Sequence, residues 1–512
     1  MSDSDLQNDA SVSPATVQAV AVVPAQGVTK AERYLAKLCR RSFLSLWSYP
    51  NVYRDQGRAN GKGDGKELCD LLVVFDNHVI IFSDKDVRFG DGDVQTAWAR
   101  WYRKAVLRSA EQVWAAERWI KTHPERLYID RHCTQPFPLA FPEPDKAIVH
   151  RIVVAHDAAR ACKKELGGSG SLMIDSMLVG DGHLSGMPFT IGQIDPKRGY
   201  VHVFDDTTLD ILLNTLDTIT DFTAYLTKKE KFLTGQVMVH VAGDEELLAV
   251  YLGKMNAAGE HDFVFDQKFD GISIQEGEWE SFIRSPERRA QVESNKISYL
   301  WDEIIERFLQ HAMLGTQYFG GQRPLSEQEK AFKFLAREPR THRRSLSRSL
   351  HEVYEKSVHA RVLSARVQTL NQAGAPYYAF LFLKRKPGMS DEKYRAIRRQ
   401  RLIDYCCVAK VKFPEALDIV GIATEGGHVD RRSEDLFYLD ARNWSAKDQA
   451  KAEEVQKQFG MLKKTTPHFE REYEYPVNHQ GKQRKYKLSR NSPCWCNSGK
   501  RFKRCHGANL DF

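Results

Sequence analysis

The chain of 512 residues contains no apolar stretch long enough to span a bilayer. Its first 28 residues contain no aromatic side chain, and their acidic opening at Asp3 and Asp5 lacks the basic region of a signal peptide. These absences predict a disordered leader over residues 1–28 and a cytoplasmic protein without a transmembrane segment.

Cysteine is scarce and scattered, with nine residues in the whole chain. Six of the nine form no framework of matched pairs, which argues against a disulfide-stapled secreted fold and fits a reducing cytosol. These six are Cys39, Cys69, Cys133, Cys162, Cys406 and Cys407.

Two common catalytic signatures are missing as well. The segment Gly167–Ser171 lacks the Gly-Lys-Ser/Thr ending of a phosphate-binding loop and is interpreted as a flexible turn. No Gly-x-Ser-x-Gly elbow of a serine hydrolase occurs. The chemistry of this chain must therefore be sought elsewhere.

Positive charge is in excess, and the excess is local. The formal net charge is +8, and the stretch from Gly481 to Arg504 holds nine Lys or Arg residues and no Asp or Glu. Such a block attracts the phosphates of nucleic acid or of a membrane surface, or else it is a solvated tail beside a metal site. The basic stretch from Arg337 to Arg348 is either a second phosphate-attracting surface or a solvated helix face balanced by glutamates.

Three cysteines and a histidine stand in two close pairs within the basic block. Cys494 and Cys496 form one pair, and Cys505 and His506 form the other. Zinc prefers four tetrahedral S and N ligands, and a site closed by four protein ligands is structural. The segment is too short to bury a core that offsets its ordering entropy, so the metal would supply that energy. The alternative is a reduced, metal-free tail.

Residues 490–508 resemble the SEC-C motif, the small zinc module of the preprotein translocase ATPase and of many other bacterial proteins. The Cys-x-Cys, Ser-Gly-Lys and Cys-His elements stand in register, while Trp495 and Asn497 replace the usual proline and glycine. The resemblance implies that Cys494, Cys496, Cys505 and His506 bind structural zinc. It also implies a docking role, because the translocase motif docks a chaperone and phospholipid.

Helical and strand-like patterns alternate through the first third of the chain. Residues 29–49 have helical spacing, and two apolar runs, Leu68–Phe75 and Val79–Ser83, flank the tight-turn pair Asp76-Asn77. This pattern predicts a hairpin in a sheet that is covered on both sides. A strongly amphipathic helix is predicted over Val94–Lys121.

The hairpin brings chemical groups together. With a two-residue turn, Asp70 stands opposite Ser83, and both share a face with Lys85 because alternate strand residues point the same way. Glu67 lies at the mouth of the strand. Glu32, on the preceding helix, can reach the same place.

Over residues 29–155 this arrangement resembles the PD-(D/E)xK nuclease-like superfamily. The resemblance implies that Asp70 is the first acidic metal ligand and Lys85 the terminal lysine. It makes Glu32 or Glu67 an accessory ligand, while Ser109 and Gln112 fit polar positions on the following helix.

One position departs from the superfamily pattern. Ser83 stands where Asp or Glu is expected, and the adjacent Asp84 should point to the opposite face of the strand. A three-residue turn would instead set Asp70 opposite Asp84, and a bulge would bring Asp84 and Lys85 together. The sequence leaves these alternatives open.

The leading hypothesis is a metal-dependent nuclease-like protein that acts on DNA or RNA. Mg²⁺ or Mn²⁺ held by one or two carboxylates can neutralise the phosphate and activate water, and a nearby lysine can stabilise developing negative charge. The combined resemblances imply a bacterial genome-maintenance or defence role. The alternatives are a non-catalytic adaptor that binds a protein through its zinc module, and a nucleic-acid binder without turnover.

The predicted fold class is α/β (α+β), with a restriction-endonuclease-like N-terminal domain, a mixed helical scaffold and a small zinc module. The predicted units are the leader (1–28), the nuclease-like domain (29–155), an α/β extension (156–278), a mainly helical α+β domain (279–462), a basic linker (463–489) and the zinc module (490–508).

Overall fold

The computed structural model describes residues 22, 24–58, 63–265, 270–319, 325–370, 374–429, 432–463, 472–477, 500, 501 and 504. Over this part of the chain the fold is mixed α/β with three β-sheets, which confirms the predicted class at that level. No helix within these ranges is both long enough and apolar enough to cross a membrane.

The first sheet has six strands in the order β4-β1-β2-β3-β5-β8. Strands β1 to β4 pair antiparallel, whereas β3, β5 and β8 pair in parallel. Because it includes β8, this sheet extends beyond residue 155, the predicted end of the first domain. The strands are β1 (Ser48–Arg54), β2 (Lys66–Phe75), β3 (His78–Lys85), β4 (Leu127–Tyr128), β5 (Ile148–Ala155) and β8 (Val201–Phe204).

Helices cover this sheet. Helix α1 (Lys30–Phe43) packs against β1 and β2, and it begins with a capping box between Thr29 and Glu32. The predicted long helix is found as α2 (Val94–Trp101), a π-helical turn over residues 102–107, and α3 (Arg108–Thr122), which packs on β2, β3 and β5. Residues 68–75 of β2 and 79–84 of β3 are buried without interruption, so both faces are covered, as predicted.

The other two sheets have four strands each. The second, in the order β10-β9-β6-β7, contains β6 (Met173–Val179), β7 (Thr190–Gln193), β9 (Met238–Val241) and β10 (Gly271–Ile274). The third, in the order β11-β12-β13-β14, contains β11 (Leu363–Thr369), β12 (Tyr377–Leu383), β13 (Asp418–Glu425) and β14 (Glu434–Asp440).

Helices connect and cover these sheets, and the region from 279 onward is mainly helical up to β11, as predicted. The remaining helices are α4 (Ala159–Leu166), α5 (Gly182–Ser185), α6 (Asp206–Thr215), α7 (Ile219–Leu233), α8 (Asp244–Gly253), α9 (Glu278–Arg284), α10 (Pro286–Asn295), α11 (Tyr299–Met313), α12 (Leu325–Ala336), α13 (Arg340–His359), α14 (Asp391–Lys412) and α15 (Ala446–Phe459).

One large hydrophobic core joins these layers. It runs from Leu35 in α1 to Ile422 in β13, and it includes Trp301 of α11, whose ring meets Tyr378 of β12 edge to face. The other face of the third sheet packs on α14 in a smaller core around Leu402. The predicted units over 29–155, 156–278 and 279–462 therefore share buried contacts.

Candidate functional site

Asp70 and Lys85 meet where β2 and β3 separate. The strands pair from Phe75 opposite His78, which is the register of the predicted two-residue turn. Lys85 Nζ lies 3.8 Å from Asp70 Oδ2. The structure therefore brings together the two side chains on which the nuclease hypothesis depends, at one end of the hairpin.

The negative charge of the buried Asp70 carboxylate is only partly compensated by its neighbours. Its side chain is 4% exposed, whereas that of Lys85 is 39% exposed and reaches solvent. The Asp84 N–H donates a 2.6 Å hydrogen bond to Asp70 Oδ2. Burial nevertheless raises the pKa of Asp70 to about 6, because the attraction of Lys85 and the hydrogen bond only partly offset the desolvation of the charge.

The Asp84 side chain does not join this pair. Since β2 and β3 adopt the two-residue register without a shift, neither the three-residue turn nor the bulge forms between the paired residues. Asp84 Oδ1 lies 2.5 Å from His156 Nε2, and His156 Nδ1 contacts Asp206. Asp84 therefore contributes its backbone N–H to Asp70 and its carboxylate to a histidine.

His156 is an imidazolium held between two carboxylates. Burial alone would lower the pKa of His156, but hydrogen bonds to Asp206 and Asp84 raise it to about 10. Sequence reasoning did not place His156 or Asp206 near the hairpin. The available signal was position, because each residue follows a strand closely and the carboxyl ends of parallel strands meet at one edge of a sheet.

Asn51 holds the two accessory acids together. Its Nδ2 donates to Glu32 Oε2 at 2.9 Å and to Glu67 Oε1 at 2.8 Å. The pKa of Glu32 is lowered: burial acts in the opposite direction but is outweighed by hydrogen bonds from Asn51 and from backbone N–H groups. Asn51 has a φ of 50°, a left-handed conformation that a non-glycine residue rarely adopts inside a strand. Sequence reasoning missed this residue.

Of the two polar positions on α3, Ser109 is buried and Gln112 is half-buried. Ser83 Oγ donates to Gln112 Oε1 at 3.1 Å, so these two side chains meet on the face that the register predicts. Ser109 is fully buried, and its hydroxyl has no hydrogen-bond partner among the described residues. Ser109 and Gln112 lie in the first turns of α3, just after the π-helical turn, a feature often found near functional sites.

The carboxylates suit a hard divalent cation, but they are few. Among the described residues, no group of three or more His, Cys, Asp or Glu side chains is placed to hold a metal ion. Asp70 and Glu67 are near enough for Glu67 to raise the pKa of Asp70 electrostatically. One or two carboxylates, with water and substrate phosphate completing the shell, is a common mode of Mg²⁺ binding.

The basic stretch from Arg337 to Arg348 is neither a phosphate-attracting surface nor a solvated helix face. Arg340, Arg343 and Arg344 are buried. Arg340 and Arg343 each lie 2.7 Å from a different oxygen of Asp302, and Arg340 also pairs with Asp217 at 2.8 Å. The sequence did not indicate that these arginines are buried, because the acids that neutralise them, Asp217 and Asp302, are distant in the sequence.

The predicted zinc ligands Cys494, Cys496, Cys505 and His506 lie outside the described residues, as do residues 1–21 of the predicted leader. The other six cysteines are free thiols in the structure, and Cys406 is buried in the smaller core.

Comparison with known proteins identifies one family. The model of the SEC-C motif matches residues 490–508, which is compatible with a zinc-binding module there. No curated protein and no solved structure matches the chain.

Proposed function

We propose that this chain is a nuclease-like protein that acts on the phosphodiester backbone of DNA or RNA with Mg²⁺ or Mn²⁺. One observation carries the proposal: a buried carboxylate, Asp70, and a solvent-reaching ammonium, Lys85, lie 3.8 Å apart where two strands diverge. The order of helix, antiparallel strands, helix and parallel strand is consistent with the PD-(D/E)xK layout.

Each residue has a distinct role in this proposal. Asp70 and Glu67 would hold the cation, which when bound supplies charge neutralisation and an activated water. Asp70 is ionised at neutral pH because its pKa is about 6. Asn51 fixes Glu67 beside Glu32. Lys85 reaches solvent beside Asp70 and would stabilise negative charge on the reacting phosphate.

The zinc module forms the second part of the proposal. Cys494, Cys496, Cys505 and His506 would hold structural zinc, which the match to the SEC-C motif supports. The surrounding block of basic residues would then dock a protein or a phosphate-bearing partner. A metal assay on the wild type and on Cys494→Ser tests this part, and equal zinc contents would end the assignment.

A second candidate function is a non-catalytic adaptor. Ser83 replaces an expected acid and is engaged by Gln112, while Asp84 is engaged by His156. The described residues also contain no three-ligand group. These observations favour an inactive nuclease-like domain that serves the zinc module.

Cleavage assays separate the two functions. Purified protein is incubated with Mg²⁺ or Mn²⁺ and plasmid, linear duplex, single-stranded DNA or RNA. Asp70→Asn and Lys85→Met should both abolish cleavage. The matched controls, Asp86→Asn and Lys104→Met, change exposed residues of the same types and should leave cleavage intact.

Two results would overturn the nuclease proposal. Wild-type protein that fails to cut any substrate with either metal contradicts it, and so does cleavage that survives both site substitutions. Binding without cleavage, weakening steeply as salt rises, would indicate a nucleic-acid binder. Failure to bind any of the substrates would leave the adaptor.

A further inference from the structure

Part of the predicted basic linker is docked against the helical region. Residues 472–477 read Glu-Tyr-Glu-Tyr-Pro-Val, and they pack against α10, α13 and the chain around His261. We call residues 472–477 the strap and the surface that receives them the strap groove, which is defined by Arg344, Arg348, Gln291, His261 and Leu252. The docked residues lie upstream of the zinc-motif match.

Two arginines of α13 hold the first glutamate and its backbone. Arg348 Nη1 lies 2.7 Å from Glu472 Oε2, and the Arg344 guanidinium lies 2.7 Å from Glu472 Oε1. Arg344 also donates to the carbonyl oxygens of Tyr473 at 2.5 Å and Glu474 at 3.3 Å. Because the carbonyls of a helix bond internally, recognition of successive main-chain carbonyls selects a non-helical peptide.

The second glutamate, Glu474, is bound by one neutral side chain and one basic side chain. Gln291 Nε2 donates to Glu474 Oε1 at 2.8 Å, and His261 Nε2 lies 2.8 Å from Glu474 Oε2. Both carboxylate oxygens are thus bound by side chains of the groove. This bidentate arrangement recognises a carboxylate at a fixed position along the peptide.

An aromatic side chain completes the contact. The Tyr475 hydroxyl donates to the Leu252 carbonyl oxygen at 3.0 Å, and its ring meets Phe282 and His261 edge to face. By contrast, Tyr473 is 48% exposed. The groove therefore contacts the side chains of Glu472, Glu474 and Tyr475.

Arg344 depends on residues 472–474 for its hydrogen-bond and ion-pair partners. The residue is fully buried, and within the described part of the chain each of its hydrogen bonds and ion pairs goes to residues 472–474. A buried guanidinium without a partner is strongly destabilising. The fold accepts Arg344 at this position because an acidic peptide covers it.

We propose that the strap groove is a recognition site for a non-helical Glu-Tyr-Glu-Tyr peptide, which residues 472–475 occupy in cis. Occupation anchors the chain that leads to the zinc-motif residues. The segment between Val477 and Arg490 can span at most about 45 Å, so docking limits where that module can reach. Release would lengthen the tether.

A displaced strap should expose the site to the same peptide in trans. The full-length variant Glu472→Lys/Glu474→Lys disables the cis occupant while leaving the groove intact. We expect it to bind a fluorescein-labelled peptide of residues 470–478 in an anisotropy assay. Wild-type protein should bind the peptide at least about 100-fold more weakly, because its own tethered segment competes at an effective concentration near millimolar.

Controls separate recognition from general charge effects. The variant Glu165→Lys/Glu454→Lys makes the same change of charge at exposed acids elsewhere, and it should bind the peptide as weakly as the wild type. A peptide in which lysine replaces Glu472 and Glu474 should not bind any of the proteins.

Two results would overturn the proposal. One is a folded strap variant, verified by circular dichroism, that does not bind the peptide. The other is equal binding by the wild type and the strap variant. If charge reversal prevents folding, Tyr475→Ala removes the aromatic anchor without reversing a charge, and the same two outcomes apply to it.

Discussion

Two largely buried aspartates, Asp70 in the hairpin and Asp302 in α11, have pKa values that move in opposite directions. One lysine lies 3.8 Å from Asp70, whose pKa rises to about 6 because burial dominates. Two arginines lie 2.7 Å from Asp302. Although burial acts against it, these arginines hold the pKa of Asp302 below its usual value.

The difference distinguishes a structural ion pair from a carboxylate that is still able to bind a cation. Asp302 receives two full charges and directed hydrogen bonds, so its negative charge is compensated inside the fold. Asp70 receives one distant, partly solvated ammonium and one backbone N–H. Of these two sites, Asp70 is the one where a further positive charge, such as Mg²⁺, would relieve a cost of folding.

We expect the largest loss of stability when an arginine is removed from Asp302. Arg343→Met removes a buried guanidinium from Asp302 and from the carbonyl oxygens of Glu338 and Ala336. We expect urea unfolding to show a loss of about 3–5 kcal/mol. Arg337→Met is the control, because Arg337 is 46% exposed in its pair with Asp76 and should lose less than about 1 kcal/mol. Similar losses in both variants would contradict the distinction.

Asp70→Asn should stabilise the protein at neutral pH. Because the folded pKa of about 6 lies above the unfolded value of 3.8, the native carboxyl costs stability as pH rises from about 4 to 6, and the full cost remains above 6. We expect the amide variant to be more stable by about 1–3 kcal/mol at pH 7.5, with no advantage near pH 4.

Asp302→Asn gives the opposite expectation and serves as the paired measurement. Its lowered pKa means that the ionised carboxylate stabilises the fold above the unfolded pKa, so the amide should destabilise at neutral pH. Millimolar Mg²⁺ should raise the melting temperature of the wild type but not of Asp70→Asn. Destabilisation by both substitutions at neutral pH would remove the contrast between the two sites.

Local signals predicted the hairpin and the meeting of Asp70 with Lys85. The Asp76-Asn77 turn and the apolar runs beside it fix the register, and strand alternation then places Asp70 and Lys85 on one face. These signals span only a few residues each, so no knowledge of distant contacts was needed. The long helix over Val94–Lys121 was predictable for the same reason, although its π-helical turn was not.

Distant partners were not predictable. Arg344 is surrounded by basic neighbours in the sequence, yet its partner Glu472 belongs to a remote segment. His156 meets Asp206 only because β5 and β8 pair in parallel. The bridging role of Asn51 depends on a left-handed backbone that no turn signal marks. Each of these features follows from tertiary pairing rather than from local pattern.

Asn51 tests how the under-compensated site is assembled. Asn51→Asp replaces the donor between Glu32 and Glu67 with a third carboxylate, so we expect a loss of about 1–3 kcal/mol in urea unfolding. Asn51→Gly removes the same donor but adopts the left-handed backbone freely, so its loss should be smaller. A larger loss in the glycine variant would show that packing, rather than the amide bridge, sets the stability here.

Lys85→Met should have the smallest effect on stability. The ammonium is 39% exposed and 3.8 Å from its partner, a geometry in which ion pairs contribute less than about 1 kcal/mol. Urea unfolding should therefore barely change, while cleavage under the proposed function should disappear. This combination matters because a lysine kept for stability would show the reverse: a clear loss in unfolding free energy with unchanged chemistry. Under the proposed function, the ammonium of Lys85 and the partly compensated carboxylate of Asp70 would instead meet the same ligand.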